Sequence, residues 1–199
     1  IRLKNSYFRV CDFNTTAQES PILVEVEGIG GVISDFEIVD SDVKLQMKHG
    51  ELLYGKHLKV DDLSTNFHYA DTLISIDKTL LKSPFSTIDA DLSFAPYKES
   101  YADFLNKVTI KATLRNSQIS TNDLNGFYDG FAMEKTLEAE GELSGTLNNL
   151  SIKDIHLYHE STSIEAENVL LKNAFSPEKD FVFWGDFPHF SSSYGDIVS

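Results

Sequence analysis

The 199-residue chain holds one cysteine, Cys11, which excludes an internal disulfide and any four-cysteine zinc site. Basic residues are scarce as well: 17 Lys and Arg stand against 31 Asp and Glu, for a formal charge of −14. That balance argues against nucleic acid and against docking on an anionic bilayer through a basic patch. No apolar run approaches the ~18 residues of a membrane-spanning helix, and no basic-then-apolar leader opens the chain. Proline occurs five times and tryptophan once, so little interrupts extended structure. The first residue is Ile1 rather than Met, and residues 1–199 read as a single elongated segment of a longer chain.

What the sequence does have is alternation with a period of two. Val43/Leu45/Met47, Leu63/Thr65/Phe67/Tyr69, Ile88/Ala90/Leu92/Phe94 and Val108/Ile110/Ala112/Leu114 all place apolar residues on one face of a strand and polar ones on the other. Ile22/Val24/Val26 does the same. The longest run is Leu137/Ala139/Gly141/Leu143/Gly145/Leu147, interleaved with Glu138, Glu140 and Glu142. A change of parity between Ile152 and Ile155 reads as a bulge or tight turn. Turn signals fall at Gly28–Gly31, His49-Gly50, Tyr54-Gly55, Asp61-Asp62, Asn148-Asn149 and His159–Ser161. Roughly a dozen strands at about 8–12 residue spacing predict a meandering antiparallel sheet. Helix is expected in only two places, Lys98–Asn106 and Gly126–Glu134. The fold class is all-β.

Chemistry-bearing clusters are missing. None of the six histidines forms His-Glu-x-x-His or pairs with cysteine at zinc spacing. His156 and His159 point to opposite faces of one expected strand. Ser75–Lys78 spells Ser-x-x-Lys without companion motifs or a helix start. Glu138, Glu140 and Glu142 line one strand face at about 7 Å intervals, where they solubilise it. Asp40/Asp42 and Asp89/Asp91 lack the glycine and bidentate glutamate of a calcium loop. No catalytic residues, metal ligands or cofactor are assigned, and an enzyme is not expected.

A face that is apolar in every strand must close into a barrel, pack on a second sheet, or curl around something else. The lack of a cysteine pair and of a Greek-key rhythm favours an elongated, curled sheet over the alternative of a β-sandwich. A loose phrase, Asp followed by Leu or Ile after small polar residues, recurs at Asp62-Leu63, Asp91-Leu92, Asp123-Leu124 and Asp196-Ile197. Its irregular spacing rules out a strict solenoid period. Ser117–Phe127 followed by Glu140–Leu157, with its Gly-x-Leu-x-Gly-x-Leu core, resembles the TamB-like translocation and assembly module proteins of Bacteroidota, in the AsmA-like group. Residues 43–95 and 181–197 resemble the same family more weakly, through Ser83–Leu92 and Phe187–Phe190.

The resemblance implies a long β-taco whose hydrophobic groove carries phospholipid between inner and outer membranes and supports outer-membrane biogenesis. It implies a periplasmic location with a tether to the inner membrane outside this fragment. The partners implied are phospholipid acyl chains and an outer-membrane barrel of the BamA or TamA type. Shielding is the physical requirement: removing the ~30 methylenes of a two-chain lipid from water is worth ~20–25 kcal/mol. A dozen strands at ~4.8 Å spacing span only ~55–60 Å, a section of such a conduit. The groove lining expected on this reading is Val43, Leu45, Met47, Leu63, Phe67, Ile88, Leu92, Val108, Ile110, Leu114, Leu137, Leu143 and Leu147. Ala90, Ala112, Ala139, Gly141 and Gly145 suit a tightly curved trough or a sheet corner. The alternative function is a β-rich adhesin or carbohydrate-binding module with a closed core. There Phe181, Phe183, Trp184, Phe187, Phe190 and Tyr194 would stack on sugars.

Overall fold

A computed structural model describes residues 1–11, 22–55, 58–98, 101, 103–126, 134–176 and 178–193. The strands follow the alternating segments. They are β1 (Arg2–Cys11), β2 (Ile22–Val39), β3 (Asp42–Tyr54), β4 (Leu58–Ala70), β5 (Leu73–Lys82) and β6 (Thr87–Pro96). After them come β7 (Val108–Ser120), β8 (Thr136–Thr146), β9 (Asn149–His159), β10 (Thr162–Lys172), β11 (Val182–Asp186) and β12 (His189–Ser191). Single helical turns α1 (Phe104–Lys107) and α2 (Thr121–Leu124) flank β7. The strands form one antiparallel sheet in chain order from β1 to β11, with β12 pairing β10 off that path. β11 and β12 are in effect one strand broken at Phe187-Pro188, because proline cannot donate to the ladder.

β1 does not pair with β11, so the sheet is open and not a barrel. Extensive contacts run between neighbouring strands, with α1 against β8 and α2 against β7 as the additions. Among the described residues no second sheet covers either face, so the β-sandwich alternative does not hold. The accessible surface is 13055 Å², against roughly 9,400 Å² expected of a compact chain of this mass.

Two-residue turns join β2 to β3 at Asp40-Ser41, β4 to β5 at Asp71-Thr72, β8 to β9 at Leu147-Asn148 and β9 to β10 at Glu160-Ser161. Asp40 and Glu160 take the left-handed backbone, φ 52° and 50°. Three expected turns lie inside strands instead. His49 (φ 51°) makes a bulge within β3, Gly28–Gly31 lies within β2, and Asp61-Asp62 lies within β4. The residues that tolerate a left-handed turn also tolerate a bulge, and here the ladder shifts register and continues. The expected parity change in β9 is such a bulge, at Asp154 (φ 49°), where β8–β9 pairing shifts between Glu140 and Glu142. Gly145 (φ 125°) admits no other residue without collision, since a Cβ there would meet the Asn149 carbonyl oxygen.

Of the expected Lys98–Asn106 helix, residues 99, 100 and 102 lie outside the described residues, and α1 takes its last three positions and Lys107. Of the expected Gly126–Glu134 helix, residues 127–133 lie outside the described residues, and a helical turn forms earlier, at α2. The Asp-Leu phrase marks no single structural position. Asp62 and Asp91 sit in strands, Asp123 sits in α2, and Asp196 lies outside the described residues.

Candidate functional site: an open apolar trough

Residues paired directly across an antiparallel ladder share a face, so register shows which side chains meet. One row runs Leu45–Phe67–Ile76–Leu92–Ala112–Leu143–Ile152–Val169, from β3 to β10. A second row, two residues along each strand, runs Val43–Tyr69–Ile74–Phe94–Ile110–Gly145–Leu150–Leu171 and reaches Phe183 on β11. A third passes through Met47–Thr65 and Ala90–Leu114–Gly141, and a fourth through Leu63–Leu81–Ile88 and Ala139–Leu157–Ile164. One face of the sheet is therefore apolar across eight or more strands.

The opposite face is polar and bonded to itself. Ser34, Gln46 and Asn66 form a cross-strand hydrogen-bond ladder, at 3.3 and 2.9 Å. Arg115 on β7 donates to Asp89 and to Asp91 on β6, each at 2.8 Å. The guanidinium and the Lys78 backbone N–H hold the Asp91 carboxyl below its usual range, and the two carboxylates push the Arg115 pKa up. Glu138 and Glu142 are exposed on this face, in keeping with a solubilising role. The hollow formed by Lys44, Gln46, Asn66, His68, Ser75 and Asp77 on this side is polar.

The apolar face deepens into a cavity of about 450 Å³ over β6–β9. Ala90, Leu92, Ala112, Leu114, Ala139, Gly141, Leu143, Ile152, Ile155 and Leu157 line it, with Asp91, Thr113, Glu140 and Glu142 at its border. Small residues at the centre keep the floor low while Leu and Ile form the walls.

The ladder rows bring most of the expected lining together. Val43, Leu45, Met47, Leu63, Phe67, Ile88, Leu92, Leu114, Leu137 and Leu143 are half-buried on this face, with Leu137 paired to Ile119. Ile110 shares the face but is buried, at 7% exposure. Val108 is fully buried, so it supports the trough without presenting a surface. Leu147 stands in the β8–β9 turn rather than on the ladder, because β8 ends at Thr146. Ile74, Ile76, Ile152, Ile155, Leu157 and Leu171 complete the surface beyond the expected set, and Val169 shares the face but is buried. In β5 the signal was hidden by the bulge at Lys78 (φ 53°), which breaks the alternation after Ile76.

The aromatic residues Phe181, Phe183, Trp184, Phe187 and Phe190 cap no core: all are exposed. Tyr194 lies outside the described residues. Among the described residues no group of three His, Cys, Asp or Glu is placed to hold a metal ion. Those residues also contain no helix long and apolar enough to cross a membrane. Compared with protein-family models, with curated proteins and with solved structures, the chain matches none.

Proposed function

We propose that this chain is a section of an open hydrophobic β-groove that binds lipid acyl chains and passes phospholipid along its length. The observation that carries the reading is the uncovered apolar face: successive strands contribute to continuous ladder rows, and no layer of described residues lies over them. An apolar surface of this extent left to water is unfavourable at roughly 25 cal/mol per Å², and acyl chains match its chemistry. Each methylene that the trough removes from water returns about 0.8 kcal/mol of gross transfer free energy. No nucleophile, base or metal is needed, since shielding alone lowers the barrier to moving a lipid through water.

The TamB-like resemblance extends this proposal to a periplasmic setting, to traffic between inner and outer membranes, and to a barrel-type partner in the outer membrane. The alternative, sugar binding at the exposed aromatic residues near β11, is supported by the exposure of Trp184 and Phe190.

The test is lipid extraction from the protein purified under native conditions, followed by uptake of labelled phospholipid into the emptied protein. Lipid is expected with the wild type. It is expected to fall severalfold in Ala112→Trp, which fills the cavity floor without adding charge, with far-UV circular dichroism unchanged. A wild-type protein that neither carries nor takes up phospholipid overturns the proposal. Glycan binding lost in Trp184→Ala would favour the sugar reading.

A further inference from the structure

The uncovered face has one local exception, where the connection between β6 and β7 folds back over it. Four hairpins of this sheet close with two-residue turns, but this connection runs from Tyr97 to Lys107 and carries α1. The Phe104 ring of α1 packs on Phe94 of the second row, with centroids 5.8 Å apart. Where α1 lies against β8, the second row is closed: Ile110 and Leu150 are 7% and 6% exposed, and Val108 beyond them is sealed. Ala112 and Ile152, the next residues on the same face of the same two strands, stay half-buried on the first row. The β6–β9 cavity accordingly draws on the first, third and fourth rows and on no residue of the second. Asn148, buried in the β8–β9 turn, holds α1 in place. Its backbone N–H donates to the Leu105 carbonyl at 3.1 Å, and its side-chain amide donates to Asn106 Oδ1 at 3.0 Å. Its Oδ1 accepts the Phe175 N–H at 3.1 Å, and its carbonyl accepts the Asn173 N–H at 3.0 Å. Beyond these bonds and the Tyr97 N–H on the Lys107 carbonyl, α1 has little to hold it. It is a single turn that buries none of its own residues and has no side-chain N-cap bond.

We infer that α1 is a side wall of the acyl-chain seat and that Asn148 is the positioning residue that keeps it there. The inference rests on the acyl-chain reading above and adds a boundary to it. Over β6–β9, lipid chains run along the first and third rows and are kept off the second. The reason is one of surface: the second row is already out of water beside Phe104, so a methylene placed there gains little. On the first and third rows it covers alanine and leucine surface that water otherwise meets. The wall also accounts for a polar residue sealed at the rim of an apolar face. Every polar group of Asn148 is paired, so its burial costs little, and loss of its side chain leaves the Phe175 N–H and Asn106 Oδ1 without these partners.

Thiol labelling by row reads the wall. Cysteine replaces Ile110 on the second row or Ala112 on the first, each in a Cys11→Ser background. An alkyl maleimide then labels it with and without dioleoyl phosphatidylcholine vesicles. The Ala112→Cys thiol is expected to label readily and to be protected by the lipid. The Ile110→Cys thiol is expected to label about tenfold more slowly and to be insensitive to lipid. Asn148→Ala, and separately Phe104→Ala, which leaves Asn148 intact, are expected to raise Ile110→Cys labelling about tenfold and to make it lipid-protected. Far-UV circular dichroism is expected to stay unchanged in both. An asparagine with a merely structural role would lower stability without changing which row the lipid protects. If Ala112→Cys gains no protection, the acyl-chain reading falls and the wall with it. If Ala112→Cys is protected but Ile110→Cys is protected equally behind the intact wall, or neither substitution exposes it, the wall alone is overturned.

Discussion

Ser117 shows how one hydroxyl repairs an irregular ladder. The β6–β7 pairing shifts between Thr87 and Asp89, which leaves the Asp89 backbone N–H without its regular partner. The fully buried Ser117 Oγ accepts that N–H at 2.9 Å and donates to the Arg115 carbonyl at 3.0 Å. Ser117→Ala leaves the amide buried and unpaired, and is expected to cost about 1–3 kcal/mol in urea unfolding. An unchanged midpoint would show that water reaches the bulge. Asp91 gives a pH signature. Its folded-state pKa lies below the unfolded value of about 3.9, held down first by Arg115 and then by the Lys78 N–H. Its contribution is therefore complete above about pH 4 and is lost as pH falls through the depressed value. Because Arg115 and Asp91 are both more than a third exposed, screening keeps the effect small. Asp91→Asn is expected to flatten the acid limb of stability against pH, with the neutral limb little changed in slope.

At the scale of elements, the strands were legible wherever alternation ran unbroken, as in β8 from Leu137 to Gly145, and the order of strands followed from the short spacing between them. Bulges were the obstacle. His49-Gly50 and Asp61-Asp62 have turn chemistry, and the same left-handed tolerance serves a bulge, so sequence alone does not separate a chain that reverses from one that merely kinks. β5 escaped for the same reason, its parity changing at Lys78. Helix α2 was invisible because its fixing contacts are distant in sequence. Asp123, buried at one end of the sheet, accepts hydrogen bonds from Ser83 and Ser86 in the β5–β6 turn, and the Ser86 hydroxyl accepts from the Ser120 N–H at 2.9 Å. Ser120 in turn caps α2 through the Asn122 N–H. Asp123→Ala is expected to release α2 from the turn, costing about 2–3 kcal/mol and speeding amide exchange at residues 120–125. Exchange that speeds only elsewhere would contradict this role for the aspartate.

At the scale of the whole molecule, the described residues form a single open layer, and that is what separates the protein from a domain folded around its own core. Strands β3 to β10 supply both a polar face that bonds to itself and an apolar face that no described residue covers as a second layer. The lining was legible as a set of alternating residues, but whether they met one another across a core or faced an open furrow depended on closure, which no local pattern encodes. Val108 and Leu147 mark the limit of the alternation argument: one is sealed beneath its neighbours and the other is used in a turn. The central claim, that the uncovered face holds acyl chains, is tested most directly by photo-crosslinking inside cells. A photoreactive residue replaces Leu45, Leu92 or Leu143 on the apolar face, or Lys111 on the polar face as the control. The account predicts lipid adducts from the three apolar positions and none from Lys111. No adduct at any position, or equal adducts from both faces, would contradict it.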